Sequence, residues 1–245
     1  MAVEWLAEHL RVSLFSNAAV QVAEEDWCAI TKEKEAEARQ AIAGGRVFSG
    51  RFETGLLNFS AAYNRIDIVL ASPLPTEMPA EAQFASIGRW ATMRDRFFEV
   101  THSWIEHSKF PMVRIAFGAA LNYPTPSRIA AYDILRQKIT TVKIDPDRMH
   151  ELLYRVNWPI QSNIIRDLTI NRITSWSAIR IVYANFQPSA PVPATTIPQL
   201  DGVRLEIDNS TDVNRTQPFP KNQLVPILKE LISHASESAL KGDPQ

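Results

Sequence analysis

The feature that most restricts how this 245-residue chain can fold is an alternation of apolar and polar side chains, recurring in short runs along its length. Val203-Arg-Leu-Glu-Ile-Asp208 is the clearest case. Extended backbone sends successive side chains to opposite faces, so Val203, Leu205 and Ile207 share one face and Arg204, Glu206 and Asp208 the other. Leu10 to Phe15 alternates in the same way, with a turn at Ser16-Asn17. Val47 to Phe59 and Tyr63 to Leu70 read as a hairpin or meander. His150 to Trp158 alternates until Pro159, and Leu168 to Phe186 is either two strands or one long bent one. Met112 to Leu121 is apolar almost throughout, which predicts a central strand buried on both sides.

Between these runs the period changes. From Asp26 the pattern Trp27, Ile30 and then Thr-Lys-Glu-Lys-Glu-Ala-Glu-Ala-Arg-Gln-Ala-Ile-Ala is made of strong helix formers, and Gly44-Gly45 supplies a stop. Phe84 to His107 spaces its apolar residues for a long amphipathic helix ended by Pro111. Ser127 is placed to cap a helix from Arg128 to Lys138, and Asp145-Pro146-Asp147 makes a turn. Asn222 to Ala239 closes the pattern as an amphipathic helix, in which Pro226 fits only a first turn. Two Pro-rich stretches, Ser72 to Pro79 and Gln187 to Pro198, read as extended connections.

This order is not a regular βαβ alternation. It predicts an α+β fold of mixed, mainly antiparallel sheets with packed amphipathic helices, and no doubly wound nucleotide-binding sheet. Two halves, residues 1–122 and 123–245, are expected to pack as one compact unit. Asn-Arg-Ile occurs at residues 64–66 and again at 171–173, which fits two related half-domains.

Composition narrows the function classes. Hydrophobic residues make up 45% and charged residues 22%, the balance of a globular chain. A formal net charge of −1 supplies no bulk field for phosphate binding. Cys28 is the single cysteine, so no internal disulfide or thiolate cluster can form, and a buried structural thiol in a reducing compartment is expected. The first fifteen residues carry Glu4, Glu8 and His9 within their apolar pattern, unlike a signal peptide, and no stretch reads as a membrane span. A cytoplasmic location is expected.

No convergent catalytic set appears. His102 and His107 are five apart and diverge around a helix, whereas zinc helices space two histidines by four; His102 and Glu106 share a face as a surface pair. Asp201, Glu206 and Asp208 lie where some nucleases hold magnesium, but read as solvated outer-face carboxylates. Asp145 and Asp147 lack the Gly and Glu of a calcium loop, and Gly44-Gly45 lacks the Lys-Ser/Thr of a phosphate cradle. No catalytic residue, cofactor or metal is therefore assigned.

The second-half strands carry the richest polar pattern. Arg155, Asn157, Asn171, Arg172, Trp176 and Arg180 are candidate contacts for a protein partner or for nucleic acid, by anchoring, stacking or phosphate binding.

The stretch from Trp90 through Arg114-Ile-Ala-Phe117, Asn171-Arg172-Ile173, Val203 to Asp208 and the closing helix with His234 resembles a sporadically distributed bacterial family of uncharacterised proteins. That family has an Arg-Tyr-x-Asn-Arg-Ile strand, where Leu168-Thr169-Ile170 precedes Asn171 in this chain. The resemblance implies mobile genetic cargo, and hence an accessory subunit of a phage-defence or toxin–antitoxin system.

The expectation that follows is a non-enzymatic protein-interaction or accessory subunit of a multiprotein system. The alternative is a nucleic-acid-binding or metal-dependent nuclease component, with Arg155, Arg172 and Arg180 on phosphates and Glu206 and Asp208 on magnesium. A small-molecule site would require a deep polar pocket.

Overall fold

The computed structural model describes residues 4–32, 35–73, 83–182 and 199–244. Strand β1 (Leu6–Ser16) is followed by helix α1 (Glu24–Thr31), the meander β2 (Ala38–Ile42), β3 (Gly45–Phe52), β4 (Gly55–Ala62) and β5 (Arg65–Ala71), the short β6 (Gly88–Arg89) and helix α2 (Trp90–His107). A second series follows: β7 (Met112–Thr125), α3 (Arg128–Lys138), β8 (Leu153–Asn157), β9 (Ile160–Gln161), β10 (Thr169–Val182), β11 (Gln199–Thr211) and α4 (Lys221–Lys241). The fold is α+β, and its strands form one 11-stranded antiparallel sheet in the order β2-β3-β4-β5-β1-β7-β11-β10-β8, with β6 beside β1 and β9 beside β10.

Outward from the central β1–β7 pair, and leaving aside the two-residue β6 beside β1, each series lays down its last strand, then its penultimate one, then an earlier one. The Asn-Arg-Ile tripeptides do not occupy matching places in this order. Residues 64–66 straddle the β4–β5 turn, whereas 171–173 lie inside β10, whose counterpart by position is β4.

One set of alternate positions in the strands is buried: Leu10, Val12 and Leu14 on β1, Ile66, Ile68 and Leu70 on β5, Val203, Leu205 and Ile207 on β11. The helices pack on this face. α2 contributes Trp90, Met93, Phe97, Val100 and Trp104, spaced three or four residues apart along one stripe. Two indole N–H groups tie the layers together: Trp104 donates to Asp26 Oδ1 at 3.0 Å, and Trp5 to the Ala239 carbonyl at 3.0 Å. α3 begins where its cap predicts, with the Ser127 hydroxyl accepting from the Ala130 N–H at 3.2 Å.

Three expectations fail. The helix read from Asp26 to the glycines stops at Thr31, where Lys32 turns left-handed at φ 63, and Ala38–Ile42 is an edge strand on β3. Helix propensity there is a few tenths of a kcal/mol per residue (roughly) and yields to a ladder closed by Gly44 at φ 72. Pro226 lies beyond the first turn of α4; the carbonyl it leaves unbonded is that of Asn222, an exposed residue that water reaches. Leu168 to Val182 contains one strand, β10, while Tyr183 to Phe186 and the Pro-rich stretches apart from Ser72 and Pro73 lie outside the described residues. Cys28 is half-buried against the core rather than fully enclosed. No described helix is long and apolar enough to cross a membrane.

Candidate functional site

Because the helices cover one side, the polar alternate positions of the strands form a second face that no described helix covers. Antiparallel register aligns them into cross-strand rows. One row runs Arg51, Leu56, Ala71, His9, Ala120, Glu206, Ser175 and Arg155, from β3 to β8. At about 4.8 Å per strand, its two terminal arginines stand roughly 34 Å apart along the sheet. Neither has an ion pair among the described residues.

The centre of this face is built differently. β7 presents Ala116, Gly118 and Ala120, all buried although no helix lies over them. Arg11 lies across this strip: a methyl group on Gly118 would come within 3.3 Å of Arg11 Nη2. Arg11 reaches Asp208 at 3.5 Å. Arg204 pairs with Glu8 and with Glu206, and Asn122 donates to Glu8 at 2.8 Å. Burial works to raise the Glu8 carboxyl, but the hydrogen bonds from Arg204 and Asn122 outweigh it and hold the group below its ordinary value. His9 is lowered, chiefly by burial.

At the other end of β1, Phe15 is flanked in register by Arg65 and Arg114, whose guanidinium carbons lie 5.3 and 4.8 Å from the ring centroid. Arg65 is neutralised by Asp67 at 2.7 Å, while Arg114 Nη2 reaches only a neutral acceptor, Ser210 Oγ, at 3.2 Å. Burial lowers the Arg114 pKa; the charge of Asp208 works against it, and those of Arg65 and Arg11 add to it. The strands of the face thus carry Arg11, Arg51, Arg65, Arg114, Arg155 and Arg204 against Glu8, Asp67, Glu206 and Asp208, with Asp212 one residue beyond β11 also acting on Arg114, which leaves a small local basic surplus on a chain of net charge −1.

The six candidate contacts read from the second-half strands do not share a face. Arg155, Asn157 and Asn171 lie on the uncovered side, where Asn157 donates to Asn171 at 2.9 Å. Arg172, Trp176 and Arg180 occupy the alternate positions, towards the helices. Trp176 is fully buried, with its ring edge-on to Trp5 at 5.9 Å, so it offers no stacking surface. Arg180 is clamped by Asp201 at 2.7 and 3.0 Å. Arg172 turns towards α4. The phosphate-binding trio Arg155, Arg172 and Arg180 is therefore divided between faces, because Arg155 on β8 stands opposite Ser175, whose side of β10 alternates with that of Arg172 and Arg180.

The carboxylates divide likewise: Glu206 and Asp208 face the uncovered side with arginine partners, and Asp201 the other. His102 and Glu106 form a surface pair at 3.0 Å. Sequence reasoning did not single out Arg11, Arg65 and Arg114. Their signal was present as polar positions in alternating runs, but adjacency across β5, β1 and β7 follows only from strand order.

No protein-family model matches the chain, and no curated protein matches it.

Proposed function

We propose that this chain is a non-enzymatic interaction subunit, which docks a protein partner bearing an acidic surface on the uncovered face of its sheet. The observation that carries the reading is the basic surplus of that face, framed by the unpaired Arg51 and Arg155. A face of fixed Arg–carboxylate pairs supplies register and specificity, while the arginines left without carboxylates supply attraction. Alternating small and long side chains also make the surface shallow rather than enclosed, which suits a broad contact more than a small substrate.

The test compares tagged full-length protein with Arg51→Glu/Arg155→Glu, both recovered from native cells after nuclease treatment. Exposed charge reversals leave folding intact, which circular dichroism checks. A stoichiometric, nuclease-resistant partner lost from the double variant, retained by the helix-side variant Arg136→Glu and weakened by salt supports the reading. A partner retained by the double variant removes the sheet face from the argument, and partners that vanish with nuclease point to nucleic acid instead.

A further inference from the structure

α4 ends at Lys241, and the chain turns sharply at Gly242, whose φ of 85 and close approach to the Lys138 carbonyl leave no room for a side chain. This turn carries Asp243 under the end of α3. Its N–H donates to the Lys138 carbonyl at 2.9 Å, and its carboxylate Oδ2 accepts from Thr141 Oγ1 at 3.3 Å. Thr141 in turn is hydrogen-bonded to Tyr154 at 2.8 Å. Asp243 is only 2% exposed; the Tyr154 hydroxyl lies close enough to interact with its carboxylate, but Oδ1 has no hydrogen-bond partner among the described residues.

Beside it lies a cavity of about 610 Å³, lined by Arg172, Glu237, Ser238, Lys241 and Asp243 among others. Arg172 comes from the helix side of β10. Its side chain is 11% exposed, Nε donates to the Trp158 carbonyl at 3.1 Å, and Nη1 stands 3.7 Å from Glu237. Nη2 has no partner among the described residues. Glu237 is drawn instead to Lys241 at 3.0 Å.

Buried polar atoms are nearly always satisfied, so a buried carboxylate oxygen without a partner on a residue that lines a cavity of ligand size calls for an occupant. The open valences are of opposite kind: a guanidinium edge and a carboxylate oxygen.

We propose that this cavity binds a small zwitterion of the amino-acid class, with its carboxylate on Arg172 and its ammonium group on Asp243. Lys241 adds charge at the carboxylate end, and Glu237 holds Arg172 and Lys241 at one wall. The site is separate from the docking face, which lies on the other side of the sheet.

The test is calorimetric titration of the full-length protein with each free L-amino acid, then with N-acetyl and amide derivatives of any that binds. At least one free amino acid should bind saturably with a Kd below about 1 mM. Either blocked form should bind about tenfold or more weakly, since each loses a charge-assisted hydrogen bond. Arg172→Met and Asp243→Asn should show the same loss. Exposed Lys241→Met, which does not threaten the fold, should weaken binding severalfold, while Arg51→Glu/Arg155→Glu should bind as the parent does. Absence of binding by every free amino acid overturns the proposal, as does equal binding of the blocked forms or an unaltered affinity in Lys241→Met.

Discussion

Asn171 and Arg172 are neighbours in sequence and belong to different regions of the molecule. Asn171 stands on the uncovered sheet face beside Asn157, in a broad surface where Arg11 lies over Gly118. Arg172 stands behind the same strand, 11% exposed, at the wall of a cavity closed by α4 and the Gly242 turn. The contrast shows what a covering layer does to one chemistry. On the open side water reaches the exposed guanidinium groups, such as those of Arg51 and Arg155, so their value lies in attraction and register. On the covered side a guanidinium edge without a partner is costly, so it favours a ligand that completes it.

The comparison breaks first at Trp176, the core residue of β10. Trp176→Ala should cost about 3–5 kcal/mol in chemical denaturation, whereas Ser175→Ala, next to it on the other face, should cost far less; equal losses would mean that the two faces are not differently packed. Gly242→Ala comes next. A β-carbon there would lie 2.1 Å from the Lys138 carbonyl oxygen, so the turn must move, with a loss of about 1–3 kcal/mol read as a lower Tm. If the melting temperature stays put, the turn does not brace the cavity.

Glu8 sharpens the electrostatic side. Its carboxyl titrates below the ordinary 4.5 in the fold, so the unfolded chain takes up its proton first as pH falls. The stabilisation is fully present above the ordinary value and disappears as pH drops through the lowered one. Glu8→Gln should therefore flatten the acid limb of the stability curve below pH 4.5, with a neutral-pH cost of less than about 1 kcal/mol. An unchanged acid limb would show that Arg204 and Asn122 do not hold the charged form. The smallest effect is expected from Arg155→Glu, within about 0.5 kcal/mol of the parent, because no partner is lost; its consequence should appear in docking alone.

How legible was this arrangement beforehand? α3 could be read to the residue, since a Ser127 cap and the apolar spacing after it are local signals. The central position of β7 could also be read, from an apolar run too long for a one-sided strand. Residues 31–43 misled because Lys, Glu and Ala favour a helix locally, while pairing with β3 and the left-handed Lys32 decide otherwise. The candidate contacts on β8 and β10 were chosen by residue type, and alternation then divided them between two faces. The cavity had no local signature: Arg172, Lys241 and Asp243 meet through a strand, the end of a helix and a glycine turn.

By itself, then, the sequence determined which segments extend and which coil, and which side chains of each strand share a face, because those properties repeat every two or 3.6 residues (approximately) and need no distant partner. Only the tertiary structure decided that β1 lies against β7, that arginines from six strands stand on one face, and that Asp243 and Arg172 line one cavity. These are pairings between residues far apart along the chain, selected by the burial of one sheet face under the helices, and no short window of sequence contains both partners.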